Sequence, residues 1–149
     1  MTLKIANALR IISIIVMVVV FFIAYAGLPE QVLIFLDGEG NPTQYLDKNY
    51  FFYGTLVVLT VSNTLMYVLA IMLGKSTVNL NQVIANHLMT LAIVINVFFS
   101  VALTFIGILN GQENFDYSSF APFIYLSQGL FVVWLVIFMI SVFRSKKTV

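Results

Sequence analysis

The chain has no cysteine, one histidine and three prolines in 149 residues, and only 9% of it is charged. Without cysteine there is no disulfide, no thiol nucleophile and no thiolate metal site. One histidine leaves little for metal or nucleophilic catalysis, and the sequence contains no H-E-x-x-H, G-x-S-x-G or C-x-x-C pattern. These absences read as a protein that is not an enzyme and needs no cofactor or metal. The scarcity of charge also excludes an ordinary soluble domain, in which charged residues make up about 25%.

The hydrophobic share is 61% and the mean hydropathy is +1.03. A helix needs roughly 20 apolar residues to cross a hydrocarbon core of about 30 Å. Four runs meet that requirement, at 11–28, 51–74, 88–110 and 122–143, and none contains Asp, Glu, Lys or Arg. The expectation is an all-α integral membrane protein, a single domain over 1–149 built as a four-helix transmembrane bundle. Ionisable groups inside membranes mark proton relays, ion paths and gating charges. Their absence from the four runs argues against ion-coupled transport.

The charges outside the runs are sorted by sign. Lys4 and Arg10 precede the first run, Lys75 lies between the second and third, and Arg144, Lys146 and Lys147 follow the fourth. The acids Glu30, Asp37, Glu39, Asp47, Glu113 and Asp116 fall in the other two gaps, joined there only by Lys48. Basic residues are enriched on the cytoplasmic side of short loops. This pattern predicts a bacterial cytoplasmic membrane protein with both termini inside and with 27–50 and 111–121 outside. Tyr25, Tyr50, Tyr53, Tyr117 and Tyr125, with Phe51, Phe52, Phe115, Phe120 and Phe123, collect at the outer boundary, where amphipathic rings settle. The first run also has the outline of a signal peptide, with Lys4 and Arg10 before an apolar stretch and Ala24-Tyr25-Ala26 after it. It is read here as a retained span.

The first outer gap carries the most local character. Residues 32–36 form a β-prone run, 37–42 are turn-rich, and 43–46 form a second run, which together predict a β-hairpin over the helix ends. Asp37, Glu39 and Asn41 are spaced like the first oxygen ligands of an EF-hand loop. Pro42 then replaces the turn glycine and Lys48 stands where the bidentate acid belongs, so a solvated acidic turn is the reading. The gap at 75–87 is asparagine-rich and reads as a turn and a little helix. Its His87 reads as an interfacial anchor, and Pro122 marks the start of the fourth helix.

Uncharged polar residues inside the runs lie in stripes. Thr60, Asn63 and Tyr67 share one helical face of the second span, and Asn96, Ser100 and Thr104 share one face of the third. Such stripes let helices approach and hydrogen-bond across a bundle; the alternative is a polar lining for a small cavity. Gly107 and Gly111 form a G-x-x-x-G pair whose second glycine lies at the membrane edge.

The segment Leu28-Pro29-Glu30-Gln31-Val32, then Gly40-Asn41-Pro42, Tyr45 and Lys48, ends at the aromatic start of the second span. It resembles the small domain of unknown function at the N-terminus of SdpI-like immunity membrane proteins. Leu28, Pro29, Gly40 and Lys48 stand at that family's positions. Leu33 and Phe35 stand where the family has proline and histidine, so no role of that imidazole carries over. The likeness covers residues 10–75 and implies a helical membrane bundle with a small outer cap, associated with toxin immunity or signalling.

The function expected from these readings is a non-enzymatic binding or accessory protein. Its partners would be the lipid bilayer and another membrane protein or a secreted peptide, with no nucleic acid. Contact is expected through Glu30, Asp37, Glu39, Tyr45 and Asp47. The alternative is a small transporter or channel lined by Asn63, Tyr67, Asn96 and Ser100.

Overall fold

A computed structural model describes residues 3–38, 40–111 and 119–146. Glu39, Glu113, Phe115, Asp116, Tyr117 and Lys147 lie outside the described residues. The chain runs α1 (Leu3–Gly27), β1 (Gln31–Leu36), β2 (Pro42–Asp47), α2 (Lys48–Gly74), α3 (Asn79–Gly111) and α4 (Ala121–Lys146). All four helices are long and apolar enough to cross a membrane, a set that fits a multi-pass membrane protein. At 1.5 Å per residue, helices of 25 to 33 residues measure roughly 38 to 50 Å. They therefore project beyond the hydrocarbon core.

The helices start earlier than the apolar runs. α1 begins at Leu3 and not at residue 11, which takes Lys4 and Arg10 into the helix. α3 begins at Asn79, nine residues before the apolar run at 88, and only 75–78 connect α2 to it. The asparagine-rich stretch is helical because it is amphipathic. Ala85 and Met89 recur at four residues and are buried with Ala6 and Ala70 in a small-residue cluster. Ser76 tightens the connection, its hydroxyl accepting from Val78 N and Asn81 Nδ2 and its carbonyl from Gln82 Nε2. His87 thus lies within α3, edge-on to Trp134 and Phe138 of α4.

α3 is the hub, with α1, α2 and α4 each packed along it. α1 runs parallel to α3 in one fixed register: Ser13 reaches Asn96 and Ala24 reaches Gly107, both pairs separated by 83 residues. Gly107 matters for this approach, because a Cβ there would sit 3.3 Å from that of Ala24. The Gly107–Gly111 pair is thereby used in part inside the chain. α4 lies antiparallel on α3, held by Trp134 Nε1 donating to Thr90 Oγ1 at 3.0 Å and by the Phe98–Phe131 and Phe105–Phe120 ring contacts.

The hairpin forms where the alternating apolar run places it. β1 and β2 pair antiparallel, with Val32 opposite Leu46 and Leu33 opposite Tyr45, and a bulge at Ile34 shifts the register beyond. The turn closes with Asp37 N donating to Asn41 O at 2.9 Å, and Gly40 has φ +86, a conformation that favours glycine. A two-stranded hairpin is marginal alone. Here Val32 is fully buried and joins Phe21, Leu28, Phe51 and Leu103 in a core cluster at the helix ends.

Candidate functional site

Polar chemistry gathers along a seam inside the bundle and at the hairpin cap. The seam begins on α1, where Asn7, Arg10 and Ser13 recur every three residues and so share a face. Arg10 Nε donates to Asn7 Oδ1 at 3.3 Å, Nη1 donates to the Asn63 carbonyl of α2 at 3.4 Å, and the guanidinium lies 4.4 Å from the centre of the Tyr67 ring. Arg10 is only 8% exposed. Arg10, one residue before the apolar run that starts at 11, is thus packed between α1 and α2.

One level further on, Asn63 and Asn96 pair reciprocally through their carboxamides. Asn63 Nδ2 donates to Asn96 Oδ1 at 2.7 Å, and Asn96 Nδ2 donates to Asn63 Oδ1 at 3.1 Å. Asn96 Nδ2 also donates to Ser13 Oγ at 2.9 Å, and Asn63 Nδ2 to its own helix at Leu59 O. Both amides are buried, and three helices meet at this point. Ser100 and Thr104 continue the α3 stripe but donate their hydroxyls to the carbonyls four residues back, at 2.8 Å each. Thr60 and Tyr67 lie beside Asn63 along a groove between α1 and α2. Thr104 lies on a separate groove with Ala24 and Gly107.

At the hairpin, the Asn110 carboxamide at the end of α3 grips Leu33. Its Oδ1 accepts from Leu33 N at 2.8 Å, and its Nδ2 donates to Leu33 O at 3.0 Å. Lys48 grips the other flank: Nζ donates to Leu28 O at 2.6 Å and lies 4.9 Å from the centre of the Tyr25 ring, while its backbone N donates to Glu30 O. The one base among the acids thus caps carbonyls just past α1, where a helix dipole favours a cation.

The expected contact residues divide by their local duties. Asp47 is the N-cap of α2, accepting from Asn49 N at 2.8 Å and Tyr50 N at 3.4 Å. Asp37 shapes the turn, its carboxylate accepting from both Asn41 N and Asn41 Nδ2. Glu30 and Tyr45 are exposed, and Phe35 joins them as an exposed ring. Arg10, Ser13 and Asn110 were absent from the residues expected from sequence. The three-residue recurrence of Asn7, Arg10 and Ser13 was the available signal. Asn110 gave none, because its partner is a backbone that the sequence does not place.

Among the described residues no three His, Cys, Asp or Glu side chains gather to hold a metal. No family model, curated protein or solved structure matches the chain.

Proposed function

We propose that this chain is a non-enzymatic integral membrane binding or accessory protein of a bacterial cytoplasmic membrane. It serves as a small subunit of a larger assembly or as an immunity-type protein, and it engages its partner through the hairpin end. The observation that supports this most is the double anchoring of the cap. Asn110 fixes Leu33 and Lys48 fixes Leu28, while Glu30, Phe35 and Tyr45 stay exposed. A surface ordered before binding loses less entropy on association. The acids at this end, set against bases at the other, fit an extracytoplasmic face under the positive-inside rule. The resemblance of residues 10–75 to SdpI-like proteins adds a secreted peptide as one partner class.

The test is retention of co-purifying protein in mild detergent, comparing the unaltered chain with a Glu30→Gln, Phe35→Ala, Tyr45→Ala triple variant. Loss of a stoichiometric partner with an unchanged helical spectrum supports the reading. Unchanged retention overturns the contact assignment. The channel alternative needs free polar groups along Asn63, Tyr67, Asn96 and Ser100. Three of these are already engaged: the two asparagines with each other and Ser100 with Asn96 O. Solute flux into liposomes holding the purified protein alone would reinstate it.

A further inference from the structure

α1 and α2 each pack along α3, and between them runs a groove of about 390 Å³. Its floor is buried, formed by Met17, Phe21 and Leu59, while Phe22 and Leu56 on its walls are 54% and 39% exposed. It is therefore an apolar trough open sideways, toward the surface that a bilayer would cover. Arg10 closes one end of it beside Asn63 and Tyr67. From Arg10 to Phe22 the trough follows α1 for twelve residues, roughly 18 Å.

The cation at this end has no anion beside it among the described residues. No Asp or Glu occurs in any of the four helices, and every described acid lies in or beside the hairpin, at the far end of α1. Arg10 uses Nε and Nη1 on Asn7 and Asn63, and Nη2 has no acceptor among the described residues. A guanidinium offers five N–H donors in a fork matched to phosphate. Burying such a charge without a counter-ion is costly in a membrane.

Arg10 lies seven residues from Leu3, about 10 Å along the helix, in a span several ångströms longer than the hydrocarbon core. Helical side chains lean toward the N-terminus, and the bond to Asn7 shows that direction here. The guanidinium thus approaches the headgroup level of the leaflet at that end. Exposed Lys4 lies at the same end and adds positive potential.

We propose that the α1–α2 groove is a site for an anionic phospholipid, with one acyl chain in the apolar trough and the headgroup phosphate on Arg10. This assignment is independent of the hairpin reading, and either can fail alone. The test places the full chain in nanodiscs of equal dioleoyl phosphatidylglycerol and dioleoyl phosphatidylcholine and weighs the lipids retained after release in native mass spectrometry. The unaltered protein retains the anionic lipid in excess, by about fivefold, the scale that one basic residue near a charged surface supports. Arg10→Gln brings retention to the bulk ratio, and Arg10→Lys keeps part of the excess. Leu56→Trp fills the trough without touching the Arg10 contacts and lowers retention of both lipids. It decides the matter even if Arg10→Gln fails to fold. An unchanged lipid ratio in folded Arg10→Gln, or unchanged retention in Leu56→Trp, overturns the site.

Discussion

The Asn110 side chain serves Leu33 as the backbone of a neighbouring strand would. It accepts the Leu33 N–H at 2.8 Å and donates to the Leu33 carbonyl at 3.0 Å, across 77 residues of sequence. A third bond, from Nδ2 to Ile106 O at 2.8 Å, locks the amide to its own helix. Edge strands expose unpaired N–H and C=O groups that invite other chains. Here one carboxamide closes the edge of β1 at the residue after the fully buried Val32.

Replacing Asn110 with Leu removes both partners at once and leaves two backbone groups beside a hydrophobic cluster. An unsatisfied buried group costs about 1–3 kcal/mol. Amide exchange at Leu33 is expected to accelerate by roughly tenfold or more, since ~1.4 kcal/mol corresponds to a factor of ten. The α2–α3 seam, far from the change, keeps its protection. Equal exchange at Leu33 in both proteins would show that the cap is held by Val32 packing alone.

The Asn63–Asn96 pair makes a closed prediction through a double-mutant cycle. Either single change to Leu leaves the remaining amide without its partner in the bundle, and in Asn96→Leu also deprives Ser13 of a donor. Changing both removes the unsatisfied group as well as the bond. Unfolding in detergent should therefore give a double variant more stable than the sum of the singles. The coupling expected is about 0.6–1.7 kcal/mol, the range of interhelical hydrogen bonds in membranes. Simple additivity would mean that the two amides do not depend on each other.

Asp47 has two separable properties, a capping oxygen and a charge. Asp47→Asn keeps the first, since asparagine caps as well as aspartate, whereas Asp47→Ala loses both at a cost of about 1 kcal/mol. If partner contact needs the charge, Asp47→Asn loses partner retention without loss of thermal stability. If only the cap matters, Asp47→Asn matches the unaltered protein in both measurements and Asp47→Ala fails in both.

Much of this architecture is legible in the chain because composition dictates it. Four apolar runs and a turn-rich interval between β-prone segments give four helices and a hairpin. The helix starts were not legible, because charge and asparagine content mark the end of an apolar run rather than the end of a helix. Arg10 and Ala85 continue their helices through packing on neighbours. The contact residues were legible only as a charged region. Capping by Asp47 and turn closure by Asp37 depend on backbone donors two to four residues away, which residue type suggests but does not fix. Asn110 depends on tertiary placement entirely.

Gly107 tests whether the α1–α3 register is set by close approach. A methyl group there meets the Ala24 Cβ at 3.3 Å and its Cα at 3.5 Å, so Gly107→Ala asks α1 to yield by a few tenths of an ångström. Helix propensity acts the other way, since alanine is favoured over glycine by about 1 kcal/mol in a helix interior. The two effects are of similar size, and Gly107→Ala is expected within about 1 kcal/mol of the unaltered protein. Gly107→Leu has no such balance. Its branched side chain must displace α1 along its whole parallel seam, which also pulls Ser13 away from Asn96, eleven residues further back on both helices. Overpacking of this kind costs about 1–3 kcal/mol or more. The matching control is Ala24→Gly combined with Gly107→Ala, which moves the single methyl group to the other helix and restores the separation. Unaltered thermal stability in that pair, with loss in Gly107→Leu, identifies the contact as the spacer of the bundle; a stable Gly107→Leu would assign the register to the Ser13–Asn96 bond instead.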